Sequence, residues 1–309
     1  MKTKVNRKTG KLKSHINSGY LDVYLMLIPT LLFYLIFRYI PMFGNIMAFQ
    51  DFKITRGFLG SEFVGLKHFI RFFSDYNFWR LLRNTIMLNL HLLVIAFPMP
   101  IILALMLNEV HSRCFKKTVQ TITYMPHFIS TVIIASLTLD FFSSGGVINS
   151  VLELFGGTKR DFMTEPKYFW MIYTITSIWQ SIGWSAIIYM SALSAIDQEL
   201  YEAAKIDGAG RWKQTIHVTI PGILPTIMIL LIMQVGKMLT VGYEKIILLY
   251  NPSIYETADV ISTYVYRKGI IGADYGYSAA VGFFNSVINI ILLFSSNQIS
   301  KKLTGSGLY

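Results

Sequence analysis

Six histidines, one cysteine and seventeen carboxylates are what this chain offers for catalysis or metal binding, and their spacing builds neither. The histidines at 15, 68, 91, 111, 127 and 217 are nowhere three to five residues apart, so no local metal-ligand pair exists. Gly236-Lys237 is followed by Met238 instead of Ser or Thr and lacks the upstream glycine of a phosphate-binding loop. No Gly-x-Ser-x-Gly nucleophile turn occurs, and Cys114 has no second cysteine to pair with. What remains is polar chemistry set inside apolar sequence. One stripe at helical spacing runs through Tyr173, Ser177, Gln180, Trp184 and Ser191, a second through Thr226, Gln234, Lys237 and Thr240, and a third through Ser278, Gly282, Asn285, Asn289 and Ser296. Such groups suit a hydrated path lined by aromatic faces, hydroxyls and amides. They also suit hydrogen bonds between helices, and the sequence leaves the two readings open.

The elements that must carry these stripes are membrane spans. Of the 309 residues, 53% are hydrophobic and 15% charged, where soluble domains carry about 25% charged. A span needs about 20 mainly apolar residues, and six segments qualify, near 21–43, 85–107, 119–142, 168–194, 222–242 and 278–298. Ile246 to Tyr250 is apolar but too short to cross, and reads as an extension of the fifth helix or a surface turn. Leu21 to Ile40 follows basic residues as a signal peptide would, yet it is longer than a signal core and no small-x-small site follows. It reads as a retained first span. The net charge of +11 then belongs to loops at a bilayer surface and not to nucleic-acid binding. Lys2, Lys4, Arg7, Lys8, Lys11 and Lys13 precede the first span without an acid, which places both termini in the cytoplasm. The remaining Lys and Arg favour that orientation only narrowly. Arg38 reads as an interfacial anchor, and for Lys237 snorkelling to the headgroups is a third reading beside the two open for its stripe. Phe63, Leu66, Phe69, Ile70, Phe72 and Phe73, interleaved with Lys67 and Arg71, suit an interfacial helix, and the stretch between Gly145-Gly146 and Gly156-Gly157 suits a short surface helix.

Between the fourth and fifth spans lies a polar island, Tyr201 to Pro225. Glu202, Ala203, Ala204 and Lys205 are strong helix formers, and Asp207-Gly208-Ala209-Gly210 breaks the helix. A second amphipathic run follows through Trp212, Ile216, Val218 and Ile220, closed by Pro221 and Pro225. The reading is a helical elbow at a membrane surface. It resembles the Glu-Ala-Ala loop of the membrane subunits of ABC importers. In that family Glu-Ala-Ala, three residues, Gly and nine residues lead to Ile-x-Leu-Pro. Here Glu202-Ala203-Ala204 leads to Gly208 and then to Val218-x-Ile220-Pro221, with apolar residues kept at both altered positions. Asp207, Ala209 and Trp212 match the sugar-importer branch, while Thr215 stands where that branch commonly has Phe. MPHFIS at 125–130, IWQSIGW at 178–184 and TYVYRKGI at 263–270 extend the resemblance over most of the chain.

The resemblance implies an all-α permease of the type I importer fold in a bacterial cell membrane. Its parts are a cytoplasmic tail at 1–20, a six-helix domain at 21–298 with a cytoplasmic coupling loop at 199–221, and a tail at 299–309. It implies a non-catalytic subunit with no cofactor of its own. Its partners are a second, related permease, two ATPase subunits that bind ATP and Mg, and an extracellular, lipid-anchored substrate-binding protein. The solute is expected to be an oligosaccharide, with a non-sugar solute as the alternative. Glu202, Ala203, Ala204, Asp207, Gly208, Ala209, Trp212 and Pro221 are expected to meet the ATPase. Tyr173, Gln180, Trp184, Gln234, Asn285 and Asn289 are expected to line the path. A secondary transporter would need an intramembrane ion relay, and the one acid well inside a span, Asp140, lies near its outer end.

Overall fold

The computed structural model describes residues 21–305 together with Gly307 and Leu308. The basic run from Lys2 to Lys13, on which the orientation rests, lies outside the described residues. Two units are distinct, residues up to Ile46 and residues from Met47 on. The first is the expected first span. A helix from Leu21 to Tyr34 passes through Pro29, widens into a π turn at Leu35–Tyr39 and ends in tighter turns. From Val23 to Phe43 its side chains are exposed, as a helix facing lipid or a partner would leave them, and Arg38 is exposed among them.

In the second unit almost every element is helical; the exception among the described residues is a two-residue antiparallel pair, Gln50–Asp51 with Glu62–Phe63. Among the described residues of both units, five helical stretches are long and apolar enough to cross a membrane: Val23–Phe49, Phe78–Glu109, Thr131–Leu154, Arg211–Val235 and Tyr275–Lys302. The fourth expected span is present as an unbroken 26-residue helix, Phe169–Ser194. At 1.5 Å per residue it is about 39 Å long, enough to cross, but its serines, threonines and Gln180 make it less apolar than the other five. It is the packing centre of the unit. Ala186, Tyr189 and Leu193 pack with Ala104 and Ile223, and Phe169, Ile172 and Tyr173 pack with Ile246, Leu249 and Val260. Gly183 brings it against the Arg113–Tyr124 helix, where an added Cβ would stand 2.3 Å from the Thr123 carbonyl oxygen.

Three expectations change. The third span is not continuous from 119 to 142. The Arg113–Tyr124 helix tightens into a 3-10 turn at Met125–Phe128, and a new helix, Thr131–Phe142, starts where the Ser130 hydroxyl accepts from the Ile133 N–H at 3.4 Å. Pro126 removes a helical donor and Ser130 is a preferred cap, so the chain breaks there. Pro221 and Pro225 do not close the elbow. Arg211–Val235 runs through both as one helix, widened into a π turn at Thr215–Thr219 in which the Ile220 N–H donates to the Thr215 carbonyl. The wider turn accommodates Pro221, which has no N–H to continue the ladder. Finally, Ile246–Tyr250 neither extends the fifth helix nor forms a surface turn. It belongs to a separate helix, Tyr243–Leu249, with Lys245, Ile246 and Leu249 buried.

The loops at the end opposite the elbow are folded together. Asp259 is fully buried and accepts both arms of Arg267, at 2.8 and 2.7 Å, and the Thr263 hydroxyl at 2.8 Å. Arg80 stands 3.6 Å from the same carboxylate, and the Asn84 amide donates to the carbonyls of Glu256 and Asp259. Arg71 pairs with Asp274 at 2.7 Å, and Tyr264 donates to Asp75. The expected interfacial helix, Lys67–Phe73, keeps Ile70 and Phe73 exposed but buries Phe72 against Phe78 and Tyr277. The short surface helix forms at Val147–Leu154, anchored by buried Asn149, which exchanges hydrogen bonds with the Arg160 backbone.

Candidate functional site

The elbow starts at Asp197, whose carboxylate accepts from the Glu199 N–H at 3.0 Å and caps the Gln198–Ile206 helix. The helix ends because Gly208 takes φ +73°, a left-handed conformation that returns the Ala209 N–H to the Ala204 carbonyl at 2.8 Å. An added Cβ at Gly208 would meet nothing within 4 Å, so the glycine is there for its backbone angle. Gln214 donates to the Ala209 carbonyl at 2.7 Å and holds the turn from the far side. Tyr201 and Thr219 join the two arms through their hydroxyls, 3.0 Å apart.

This arrangement leaves one face bare. Glu202, Ala203, Asp207 and Pro221 are exposed, and Ala204 and Ala209 are half-buried in the turn. Ile206 is 87% and Trp212 78% exposed. Glu202 takes part in no ion pair among the described residues. Beside Trp212 lies a groove of about 460 Å³ whose apolar wall is Ile102, Leu105 and Met106. Arg211 reaches Glu109 across it at 4.0 Å. A rigid elbow carrying large exposed apolar side chains is built to be covered.

The polar stripes divide. In the Phe169–Ser194 helix, Ser177, Ser181 and Ser185 recur every four residues and line a cavity of about 390 Å³ with Gln234 and Lys237. Gln180 lines a different, smaller cavity with Thr131, Gly242, Tyr243, Glu244 and Lys245. Trp184 is 45% exposed and stacks on His127, with ring centroids 4.5 Å apart and planes within 2°. Asn285 lines a third cavity with Tyr243, Ser262 and Tyr266, and its shielded carbonyl oxygen has no hydrogen-bond partner in the protein. Asn289 does something else. It accepts from the Leu239 N–H at 3.0 Å and donates to the Thr240 hydroxyl at 2.8 Å, holding the turn after the Arg211–Val235 helix.

Tyr173 is buried, and it carries a group that the stripes did not identify. Lys245, only 6% exposed, donates from Nζ to the Ser177 hydroxyl at 3.0 Å and sits 4.9 Å from the Tyr173 ring centroid. In sequence it reads as one more loop lysine beyond the fifth span; an apolar run beginning directly after it was the available signal. Ser181 and Ser185 were also missed, although their four-residue spacing from Ser177 was visible. Among the described residues no group of His, Cys, Asp and Glu is arranged to hold a metal ion.

The model of the binding-protein-dependent transport system inner membrane component family matches residues 96–305. The chain is 46% identical, over 93% of its length and 90% of the relative's, to the polygalacturonan/rhamnogalacturonan transport system permease protein YteP of Bacillus subtilis. It is 45% identical over 93% of its length and 91% of the relative's to protein LplB of the same organism. Its fold is similar, with a TM-score of 0.86 and 43% identity over 94% of this chain and 97% of the other, to a chain of a bacterial alginate ABC transporter crystallised with an alginate pentasaccharide-bound periplasmic protein.

Proposed function

This chain belongs to the family of binding-protein-dependent transport system inner membrane components, and from that premise we propose that it forms one half of the path of an ATP-driven oligosaccharide importer. A related permease supplies the other half. Two ATPase subunits bind ATP and Mg on the cytoplasmic side, and a lipid-anchored binding protein delivers the sugar from outside.

The observation that carries the reading is the elbow. It is tied internally by Gln214 and by Tyr201–Thr219, while Glu202, Ile206 and Trp212 are left for a partner. A short amphipathic helix seated in a groove of another protein is a recurring mode of recognition. Closure of the ATPase pair on ATP then moves the elbow. Because Arg211–Val235 is continuous with it, the displacement passes into the bundle as a rigid-body movement. ATP and the loaded binding protein must each favour one state of the path for this to yield transport. Ser177, Ser181, Ser185, Gln180, Gln234 and Asn285 supply the hydroxyls and amides for a polyhydroxylated solute. The relatives named for polygalacturonan/rhamnogalacturonan transport and for alginate transport support the oligosaccharide class.

The test is uptake of labelled oligosaccharide into proteoliposomes holding the full complex. Accumulation that needs both ATP inside and the binding protein outside is expected. Accumulation driven by an ion gradient without ATP would sink the reading.

A further inference from the structure

We propose that Lys245 is a carboxylate-recognising residue of the translocation path, so that the oligosaccharide carried is an acidic one, built from uronic acids. The inference rests on the importer reading above and narrows its cargo.

The chemistry begins with an ammonium held where a cation is costly. Lys245 is buried against the Phe169–Ser194 helix, and no ion pair among the described residues includes it. Its contacts are a hydroxyl, Ser177, and an aromatic face, Tyr173. Both are compatible with positive charge and neither neutralises it. Elsewhere in the chain buried charge is paired: Arg267 has Asp259, and the Asp259 carboxylate also has Thr263 and Arg80. Buried charges are normally paired, so a buried ammonium without an ion pair is a place for an arriving anion to supply the partner.

The position fits. Lys245 shares its cavity, about 230 Å³, with Gln180 and Tyr243. Tyr243 also lines the cavity of Asn285, and Ser177 lines that of Gln234. Lys245 is thus the charged member of a set otherwise made of hydroxyls, amides and rings. A sugar carboxylate reaching Nζ gains a charge-assisted hydrogen bond while its hydroxyls meet the neutral groups around it. Release stays feasible, since one lysine is a point charge and not a bidentate clamp.

The test uses the complete importer in proteoliposomes with its binding protein, and compares trigalacturonate with its methyl-esterified form, which is neutral and nearly the same shape. Maltotriose is the neutral control. Wild type is expected to import the acid at least tenfold more efficiently than the ester. Lys245→Gln, which keeps a donor for Ser177, should lower acid uptake tenfold or more and leave ester uptake within twofold. Lys245→Arg should restore most of the acid preference. An unchanged acid-to-ester ratio in Lys245→Gln overturns the inference. If that variant does not assemble, the wild-type ratio decides, and a ratio near one overturns it. Wild-type import of maltotriose in place of trigalacturonate rejects the acidic class but leaves the importer reading standing. Import of none of the three rejects the acidic cargo, and the importer reading is then decided by the dependence on ATP and binding protein described above.

Discussion

The Tyr201 hydroxyl lies 3.0 Å from the Thr219 hydroxyl, and that contact joins the Gln198–Ile206 helix of the elbow to the long Arg211–Val235 helix. Thr219 is buried and Tyr201 half-buried, so the hydrogen bond is partly shielded from water. Tyr201→Phe keeps the ring and removes the bond, a loss of about 0.5–1.5 kcal/mol. The variant should assemble with the ATPase but turn over more ATP per sugar imported, because the elbow moves without carrying the span. A wild-type ratio of ATP hydrolysed to sugar accumulated would show that the tie is not part of coupling.

Gly208 separates two kinds of glycine requirement. Its φ of +73° and the open space around it mean that a side chain is opposed by backbone conformation alone. A left-handed angle costs a non-glycine residue about 1–2 kcal/mol, and asparagine tolerates it best. Gly208→Asn should therefore keep most uptake, and Gly208→Val should lose it along with the ATPase on purification. Equal behaviour of the two in a pull-down and uptake assay would point to a close contact with the partner instead.

The buried pair at the other end is a stability element. Asp259→Ala leaves the Arg267 guanidinium half-buried with no carboxylate, and breaking such a pair costs about 3–5 kcal/mol. Arg267→Lys is not a mild change either, since it gives up the two-armed contact. Both variants should unfold at lower temperature in detergent than wild type, read by the loss of a monodisperse peak on heating. The elbow should be untouched, so whatever complex survives should still hold its ATPase. An unaltered melting temperature in Asp259→Ala would contradict the role assigned here.

Asn289 and Gln234 were read as one kind of residue, and their contacts differ. Asn289→Ala removes the partner of the Leu239 N–H and of Thr240, so the yield of folded complex should fall. Gln234→Ala alters the wall of a cavity, so the yield should hold while uptake falls severalfold. Paired measurements of complex yield and uptake rate separate the two, and the reverse pattern would refute the assignment.

Much of this protein was legible because it follows local rules. Long apolar runs place spans wherever they occur, and Glu202-Ala203-Ala204 with Gly208 writes helix, break and turn in neighbouring residues. Those features depend on backbone propensity and on the apolar length needed to match a bilayer, and both act along the chain. Even locally, competing signals hid two outcomes. Pro126 and Ser130 broke a run whose hydrophobicity promised continuity, and a π turn at 215–219 carried a helix through prolines that promised its end.

Tertiary structure alone decided which charges are neutralised. Counting Lys and Arg left the orientation close to undecided because every charge counted equally. In the folded chain Arg80, Arg267 and Asp259 converge although more than 170 residues separate the first from the others, and Arg71 finds Asp274. Lys245, one loop lysine among several in sequence, ends buried against Tyr173 and Ser177 and in no ion pair among the described residues. The energy of a charge depends on what surrounds it within a few ångströms, and sequence distance carries no record of that neighbourhood.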